Sequence, residues 1–557
     1  MYRRDGYDTG HARLLGRQAA GEGFLRALVR HGRTSPISCV ARSRAEFDDF
    51  CTLVRPWFIG QRQVRWVDAT SLASLATCGT LHRPDGMLAD EAFRRRYATG
   101  GSRAFGITGV THTIASRAAL RAVSDLLIAP LEPWDALVCT SKAVKRAVDQ
   151  VLTTWGDYLA VRTGGRPTAP LRLPVIPLGI HCDSFPQGAA REAARARIRD
   201  RISAEDSDIV ALFVGRLIFY AKAHPAPMYL ALERAARATG RTIHLVQAGW
   251  FENDQEAEDF RTSASALAPS VQCHFLDGRK IDVRTEVWAG ADLFLSLSDN
   301  IQETFGLTPI EAMANGLPVI VTDWDGYRES VRHEIDGMCV PTMTPAAGAA
   351  SEWAASYLAD DLGYSNYIAY CSMSTAVDVD ACTEAVRRLI DNEDLRRRLG
   401  ESGRQRAREV YDWSVVIRAY EELWEELADV REHAASASPP LVDGSPPAPL
   451  LDDPFRQFAH YPTAIVDDHT RVGLGQMASS AGLGKLAQLF SFRFGVGERA
   501  GDDFVQQVLA FVQTRGTVEV ADIAAAHPSV PYGVVTRTLV HLAKFDVLKL
   551  TVVHTAK

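Results

Sequence analysis

Leu293-Phe-Leu-Ser-Leu-Ser-Asp-Asn-Ile-Gln-Glu-Thr-Phe-Gly-Leu-Thr-Pro-Ile-Glu-Ala-Met-Ala-Asn-Gly-Leu-Pro-Val-Ile-Val321 decides the fold. It reads as an apolar strand (Leu293, Phe294, Leu295, Leu297), a polar loop (Ser298 to Gln302), a helix, and a second apolar strand at Val319 to Val321. Pro309 stands near the helix start, where its missing N–H does no harm, and Asn315-Gly316 is a C-terminal cap. Two short buried strands around one helix make a parallel βαβ unit.

Such a unit places the loop and the helix N-terminus at the carboxyl edge of a sheet, where open α/β folds bind ligands. The N–H groups of Phe305, Gly306, Leu307 and Thr308 have no partner within the helix and favour an anion. Gly306 lets a ligand approach the backbone. Glu303 stands just before this turn and Glu311 about two turns on. Carboxylates accept from sugar hydroxyls, which a phosphate cannot satisfy, so the ligand inferred is part phosphate and part polyol.

The run Glu303-Thr-Phe-Gly-Leu-Thr-Pro-Ile-Glu311 resembles the E-x7-E signature of retaining glycosyltransferases of family 4, which have the GT-B fold. Ala312 to Ile320, Asp325-Gly-Tyr-Arg-Glu-Ser-Val331 and Gly337 are similar to the same family. The resemblance covers about residues 1 to 432. It implies an α/β architecture of two Rossmann-like domains facing across a cleft, and a nucleoside-diphosphate sugar as co-substrate. It also implies sugar contacts from Glu303, ribose contacts from Glu311, and no required metal or cofactor.

Length and composition fit this picture. The chain has 557 residues, too many for one core, with 46% hydrophobic and 23% charged residues. A net charge of -7 argues against a general nucleic-acid or anionic-membrane binder. The nine cysteines are scattered singly without C-x-x-C spacing, which suggests reduced thiols rather than disulfides or a zinc site. No run approaches a transmembrane length and the N-terminus lacks an apolar signal core, so the expected compartment is the cytoplasm.

Residues 1–195 read as a first, acceptor-side Rossmann-like domain, with strands at Ile37 to Val40, Val64 to Val67, Ala136 to Thr140 and Val175 to Leu178. Gly16-Arg-Gln-Ala-Ala-Gly-Glu-Gly23 leads into a helix. The family's glycine loop follows a first strand, which here is missing or degenerate because only Met1 to Arg13 precede it. Gly16 is nonetheless a candidate donor contact by resemblance. Gly109-Val-Thr-His-Thr113 resembles the segment from which the family's histidine reaches the donor sugar, which makes His112 a candidate catalytic residue.

Residues 196–410 read as the donor domain. Ile209-Val-Ala-Leu-Phe-Val-Gly-Arg-Leu217 is a buried strand running into Gly215 and Arg216, with Lys222 six residues after Arg216. A departing diphosphate gains charge, and a guanidinium fork with an ammonium suits it. The family uses a Gly-Arg-Leu and a downstream Lys in this way. His244 to Gly249 and Gln272 to Lys280 are further strand ends, and by resemblance Gly278 and Arg279 lie near the base. Uridine, guanosine and adenosine donors all remain open.

Pro341 to Asp380 is longer than the family needs and is read as an insertion, either near the cleft or a surface excursion. Residues 411–432 are expected to form a helix packing back on the first domain, and 433–450 a linker rich in Ser and Pro. Residues 451–557 hold three expected helices (Gly501 to Val512, Val518 to Ala525, Tyr532 to Phe545) and a strand, Val547 to Val553, in a pattern resembling a winged-helix domain. Acidic and basic residues are in near balance over 497–557, without a basic face, which disfavours nucleic acid and favours peptide recognition or self-association. The acceptor stays open between peptide, protein and other cellular metabolites. A GT-B phosphorylase and a non-catalytic scaffold are the alternative functions.

Overall fold

A computed structural model describes residues 1–7, 16–60 and 62–552, and the chain divides into two compact units, Met1–Ala448 and Pro449–Lys557. In the first unit the N-terminal strands are β1 (Ile37–Ala41), β2 (Val64–Asp68), β3 (Thr80–His82), β4 (Gly106–Val110) and β5 (Ala136–Val138). β1 pairs in parallel with β2, and β3, β4 and β5 form a second parallel set. The chain at 172–176 extends that set beyond β5 through hydrogen bonds such as the Ile176 N–H to the Cys139 carbonyl, 3.1 Å.

The expected first strand is a stub. Tyr2 N–H donates to the Val40 carbonyl at 2.9 Å, and the Met1 ammonium donates to the His82 carbonyl at 2.5 Å. Two residues therefore stand in the slot between β1 and β3. Beside them lies a cavity of about 360 Å³ lined by Tyr2, Ile37, Val40, Leu81 and His82 among others. The helix Gly16–His31 follows.

The second half is a six-stranded parallel sheet built from β6 (Ile209–Val214), β7 (Ile243–Gly249), β8 (Val271–Asp277), β9 (Leu293–Ser296), β10 (Val319–Thr322) and β11 (Gly337–Val340). Their order is β11-β10-β9-β6-β7-β8. The order reverses between β6 and β9, and ligands bind at such a switch point, outside the carboxyl ends of the strands. Every residue of β7, β9 and β10 is buried, as expected for a sheet covered on both faces. The helix Gly188–Arg201 belongs with this half: Ile198 packs on Gly290, and Arg195 and Arg199 pair with Asp292. Together the two Rossmann-like halves make the GT-B architecture.

Crossing between the halves occurs at Ile180, whose N–H bonds to the Tyr411 carbonyl and whose carbonyl accepts from Trp413. The helix Trp413–His433 then returns over the N-terminal half. Trp413 is 2% exposed and fills a slot between Gly23 and Gly179, where a Cβ would approach its ring to 2.6 and 2.5 Å. Further along, Trp424 Nε1 donates to Thr108 Oγ1 at 3.2 Å, and Glu421 accepts from the Arg33 backbone at 2.6 Å. The segment that reads as a linker begins bound to this unit, because buried Glu132 accepts from Ser436 Oγ and the Ala437 N–H at 2.6 and 2.7 Å.

The insertion is an ordered strap. Short strands β12 (Thr342–Met343) and β13 (Ala376–Val377) pair antiparallel, and between them stand the helices Ser351–Leu358 and Tyr364–Met373.

The second unit has the three expected helices, at Asp502–Arg515, Val520–Ala526 and Tyr532–Lys544. Its sheet contains more than the one strand read from sequence. β14 (Arg471–Leu474) lies between β15 (Val518–Glu519) and β16 (Leu548–Thr551), antiparallel to both. Val553, the expected end of the last strand, lies outside the described residues. Val472, Phe504, Val508, Ile523, Leu539 and Leu548 form the core.

Candidate functional site

The site forms at the switch point. Leaving β6, the chain passes Gly215 and Arg216 and doubles back to Lys222; leaving β9, it passes Ser298 to Glu303 and enters the helix Leu307–Ala314. Lys222 Nζ lies 2.6 Å from Glu303 Oε2, with the side chains 17% and 16% exposed. Burial alone would push the Glu303 carboxyl up, but Lys222 and the N–H groups of Thr304 and Phe305 hold it below its ordinary value. Burial likewise opposes the Lys222 ammonium, and Glu303 reverses that, so its pKa is raised. Both groups are charged at neutral pH.

Gly306 has φ 82° and ψ 91° at the helix N-cap, and a Cβ there would come within 1.9 Å of the Tyr327 ring. Only glycine fits against Tyr327, whose hydroxyl lies 2.9 Å from Ser296 Oγ at the end of β9. The first-turn N–H groups of Leu307 and Thr308 are thereby fixed in direction without a side-chain cap. Thr308 Oγ1 is buried beside them without a hydrogen-bond partner. Glu311 lies further along this helix, and burial, moderated by Lys222 and Arg284, pushes its carboxyl up to about 7.

Three strand ends open a floor beside these groups. A Cβ on Gly249 would meet the Gly215 carbonyl oxygen at 1.9 Å, and one on Gly278 would meet the Gly249 backbone at 3.1 Å. The Gly278 N–H bonds to the Gly249 carbonyl at 2.9 Å. Glycines at the ends of β6, β7 and β8 thus stack side by side and keep the backbone clear of side chains.

The other expected residues divide. Arg216 is partly buried, which lowers its pKa, and its Nη2 donates to the Ala221 carbonyl at 3.3 Å, directly before Lys222. Arg279 is 54% exposed and folds onto Asp277 within its own turn, at 2.9 Å. His112 Nε2 lies 2.7 Å from the Pro84 carbonyl, which takes the ring's N–H and leaves Nδ1 as an acceptor. Burial lowers its pKa, so the ring is neutral. Gly16 opens its helix with nothing within 4 Å of a Cβ, whereas a Cβ on Gly21 would meet the Gly6 carbonyl oxygen at 2.0 Å. Gly21 therefore serves helix packing.

Asp325, in a family-like stretch but not an expected site residue, joins the site. It has φ 47°, a conformation uncommon outside glycine, and its Oδ2 is buried without a partner. Burial and the nearby Glu303 push its carboxyl up to about 8. A Cβ on Gly326 would press on Phe305 Cα at 2.8 Å, so this turn lies directly on the loop that carries Glu303. From across the cleft, Ser141 Oγ donates to the Thr304 carbonyl at 2.9 Å and the Ala143 N–H to Glu329 at 3.0 Å. These contacts join residues far apart in sequence, and the stretch Asp325 to Val331 stands out in the sequence only by its resemblance to the family.

Residues 194–370 match the family described as Glycosyl transferases group 1. The chain is 33% identical over 190 residues to D-inositol 3-phosphate glycosyltransferase of Geodermatophilus obscurus, covering 33% of this chain and 40% of that protein. It is 25% identical over 286 residues to MMP alpha-(1->4)-mannosyltransferase of Mycolicibacterium hassiacum, covering 51% of this chain and 55% of that one. The chain therefore spans about half or less of the length of these relatives. Anabaena HepE, solved with UDP, superposes with a TM-score of 0.47 at 16% identity, over 72% of this chain and 95% of that chain. Among the described residues, no helix is long and apolar enough to cross a membrane.

Proposed function

We propose that this protein is a retaining glycosyltransferase of family 4 that moves a sugar from a nucleoside-diphosphate sugar to an acceptor hydroxyl. The Lys222–Glu303 pair at 2.6 Å, set beside the free N–H groups of a helix N-terminus at the switch point, carries this reading. Cation, anion and N–H donors converge there as a ligand with phosphate and hydroxyl groups requires. In this account Arg216, Lys222 and the N–H groups of Gly306 and Leu307 take the diphosphate, with Thr308 Oγ1 as a further donor, whereas the expected Phe305 N–H is already taken by Glu303. Glu303 accepts from sugar hydroxyls and Glu311 from the ribose. His112 approaches the sugar from the N-terminal half, and Gly215, Gly249 and Gly278 form the floor under the nucleotide.

The reaction needs charge stabilisation where the leaving group forms. The bond between the anomeric carbon and the diphosphate oxygen breaks as the acceptor oxygen bonds to the same face of that carbon. The acceptor proton passes to the departing phosphate. Lys222 and Arg216 offset the growing negative charge, so neither a metal nor a protein nucleophile is invoked. The unit after residue 448 serves, in this proposal, as a winged-helix-like module for a polypeptide partner or self-association. The nine free cysteines support a reducing, cytoplasmic setting.

The test is a thermal-shift screen of the full chain against uridine, guanosine and adenosine diphosphate sugars, then transfer assays with D-inositol 3-phosphate among the acceptors. Stabilisation by one donor, with slow release of its diphosphate, is the expected result. Release of sugar phosphate with inorganic phosphate, independent of nucleotide, would instead indicate a phosphorylase.

A further inference from the structure

The strap between β11 and the helix Val379–Asp391 does not lie out on the surface. Tyr364, at the start of its second helix, places its hydroxyl 3.0 Å from Gln302 Oε1, to which it donates. The same hydroxyl lies 3.5 Å from Thr113 Oγ1, on the N-terminal half. Gln302 immediately precedes Glu303, and Thr113 immediately follows His112. Gln302 Nε2 also reaches the Ala221 carbonyl at 3.4 Å, the acceptor that Arg216 uses. One phenol thus joins the loops that carry Glu303 and His112, and Gln302 extends the tie to the turn between Arg216 and Lys222.

A second contact holds the strap in place. Arg117 opens the helix Arg117–Asp125 of the N-terminal half. Its backbone N–H donates to the Tyr357 hydroxyl and its Nη1 to the Tyr357 carbonyl, each at 3.1 Å. Its guanidinium also pairs with Asp360. Tyr357 stacks on Tyr367 at 4.6 Å, so the latch continues into the helix bearing Tyr364. The base of that helix is fixed to the donor half: Ile368 packs with Ile218 and Ala221, and Ser372 Oγ donates to Asp299 at 3.0 Å. The strap is therefore rooted beside Lys222 and latched across the cleft.

Resting on the transferase reading, we propose that Tyr364 is a positioning residue that ties the Glu303 loop to the His112 loop, on a strap held shut over the cleft by Arg117. The hydroxyl sets the distance between the two halves of the sugar site through hydrogen bonds to both. The latch closes only when both halves are in place, which keeps water from the reacting carbon. An exposed ion pair adds little stability, so Asp360 can hold the strap and still release it.

The experiment uses the full chain and two variants, Tyr364→Phe and Asp360→Asn, with the nucleotide sugar that wild type hydrolyses fastest. Tyr364→Phe removes one oxygen. It is expected to lower kcat about tenfold with the donor KM within twofold and the melting temperature unchanged. Asp360→Asn is expected to raise hydrolysis of that nucleotide sugar above the wild-type rate. Hydrogen exchange without substrate gives a separate reading: Tyr364→Phe is expected to speed exchange in 111–115 and 300–304 together, and Asp360→Asn in 351–373. Wild-type kcat in Tyr364→Phe, or unchanged exchange in either variant, would overturn the proposal. Failure of wild type to turn over any donor would count against the transferase reading, and the exchange results would still decide the tie and the latch.

Discussion

Lys222 and Glu303, 81 positions apart in sequence, meet at 2.6 Å where the strand order of the six-stranded sheet reverses. Each holds the other charged in a site mostly closed to water. Removing one partner strands the other, at a cost of about 3 to 5 kcal/mol for a buried pair. Lys222→Ala is therefore expected to lower stability by about 3 kcal/mol and to reduce donor turnover by at least about a hundredfold. Urea titration and release of nucleoside diphosphate measure the two effects. The double variant with Glu303→Ala should be less destabilised than the sum of the single ones, because no lone charge remains.

Titration of Glu311 and Asp325 gives a second prediction. Both carboxyls are raised, Glu311 to about 7 and Asp325 to about 8, so the folded chain keeps protons that the unfolded chain has already lost. Protons held by the folded state mean that stability falls as pH rises. The fall for Glu311 runs from its ordinary 4.5 to about 7, and for Asp325 from 3.8 to about 8, and both level off above. Glu311→Gln cannot ionise, so the difference in melting temperature between it and wild type should grow in the variant's favour from pH 5 to pH 7.5. A constant difference across that range would contradict this assignment.

The hinge supplies a third. Trp413 fits because Gly23 and Gly179 have no side chains, and a Cβ on Gly179 would lie 2.5 Å from its ring. Gly179→Ala should cost about 1 to 3 kcal/mol through overpacking, read by denaturant unfolding. Trp413→Ala/Gly179→Ala together should show that the two effects are not additive.

Where the sequence speaks within a short span, the structure follows it. Leu293 to Val321 folds as a strand, loop, helix and strand because its apolar runs, Pro309 and Asn315-Gly316 are local signals. Gly306 was legible as a glycine a ligand could approach, but not as the residue that makes room for Tyr327. Long-range meetings were not legible. Nothing near Tyr364 announces Gln302 or Thr113, and nothing in the Ser- and Pro-rich 433–450 announces that Glu132 captures its start. The first strand is the opposite case: Met1 to Arg13 show no apolar run, yet the backbone of Met1 and Tyr2 bonds to His82 and Val40 as a strand between β3 and β1 would. β14 escaped notice because four residues, Arg471–Leu474, are too short for alternation to register.

The measurement that bears most directly on the central claim is release of nucleoside diphosphate by the full chain across uridine, guanosine and adenosine diphosphate sugars, in wild type and in Glu303→Gln. The account predicts turnover of one donor class by wild type, falling by at least about a hundredfold in Glu303→Gln while the variant remains folded by circular dichroism. Equal turnover in the two proteins would contradict the placement of the donor sugar at Glu303.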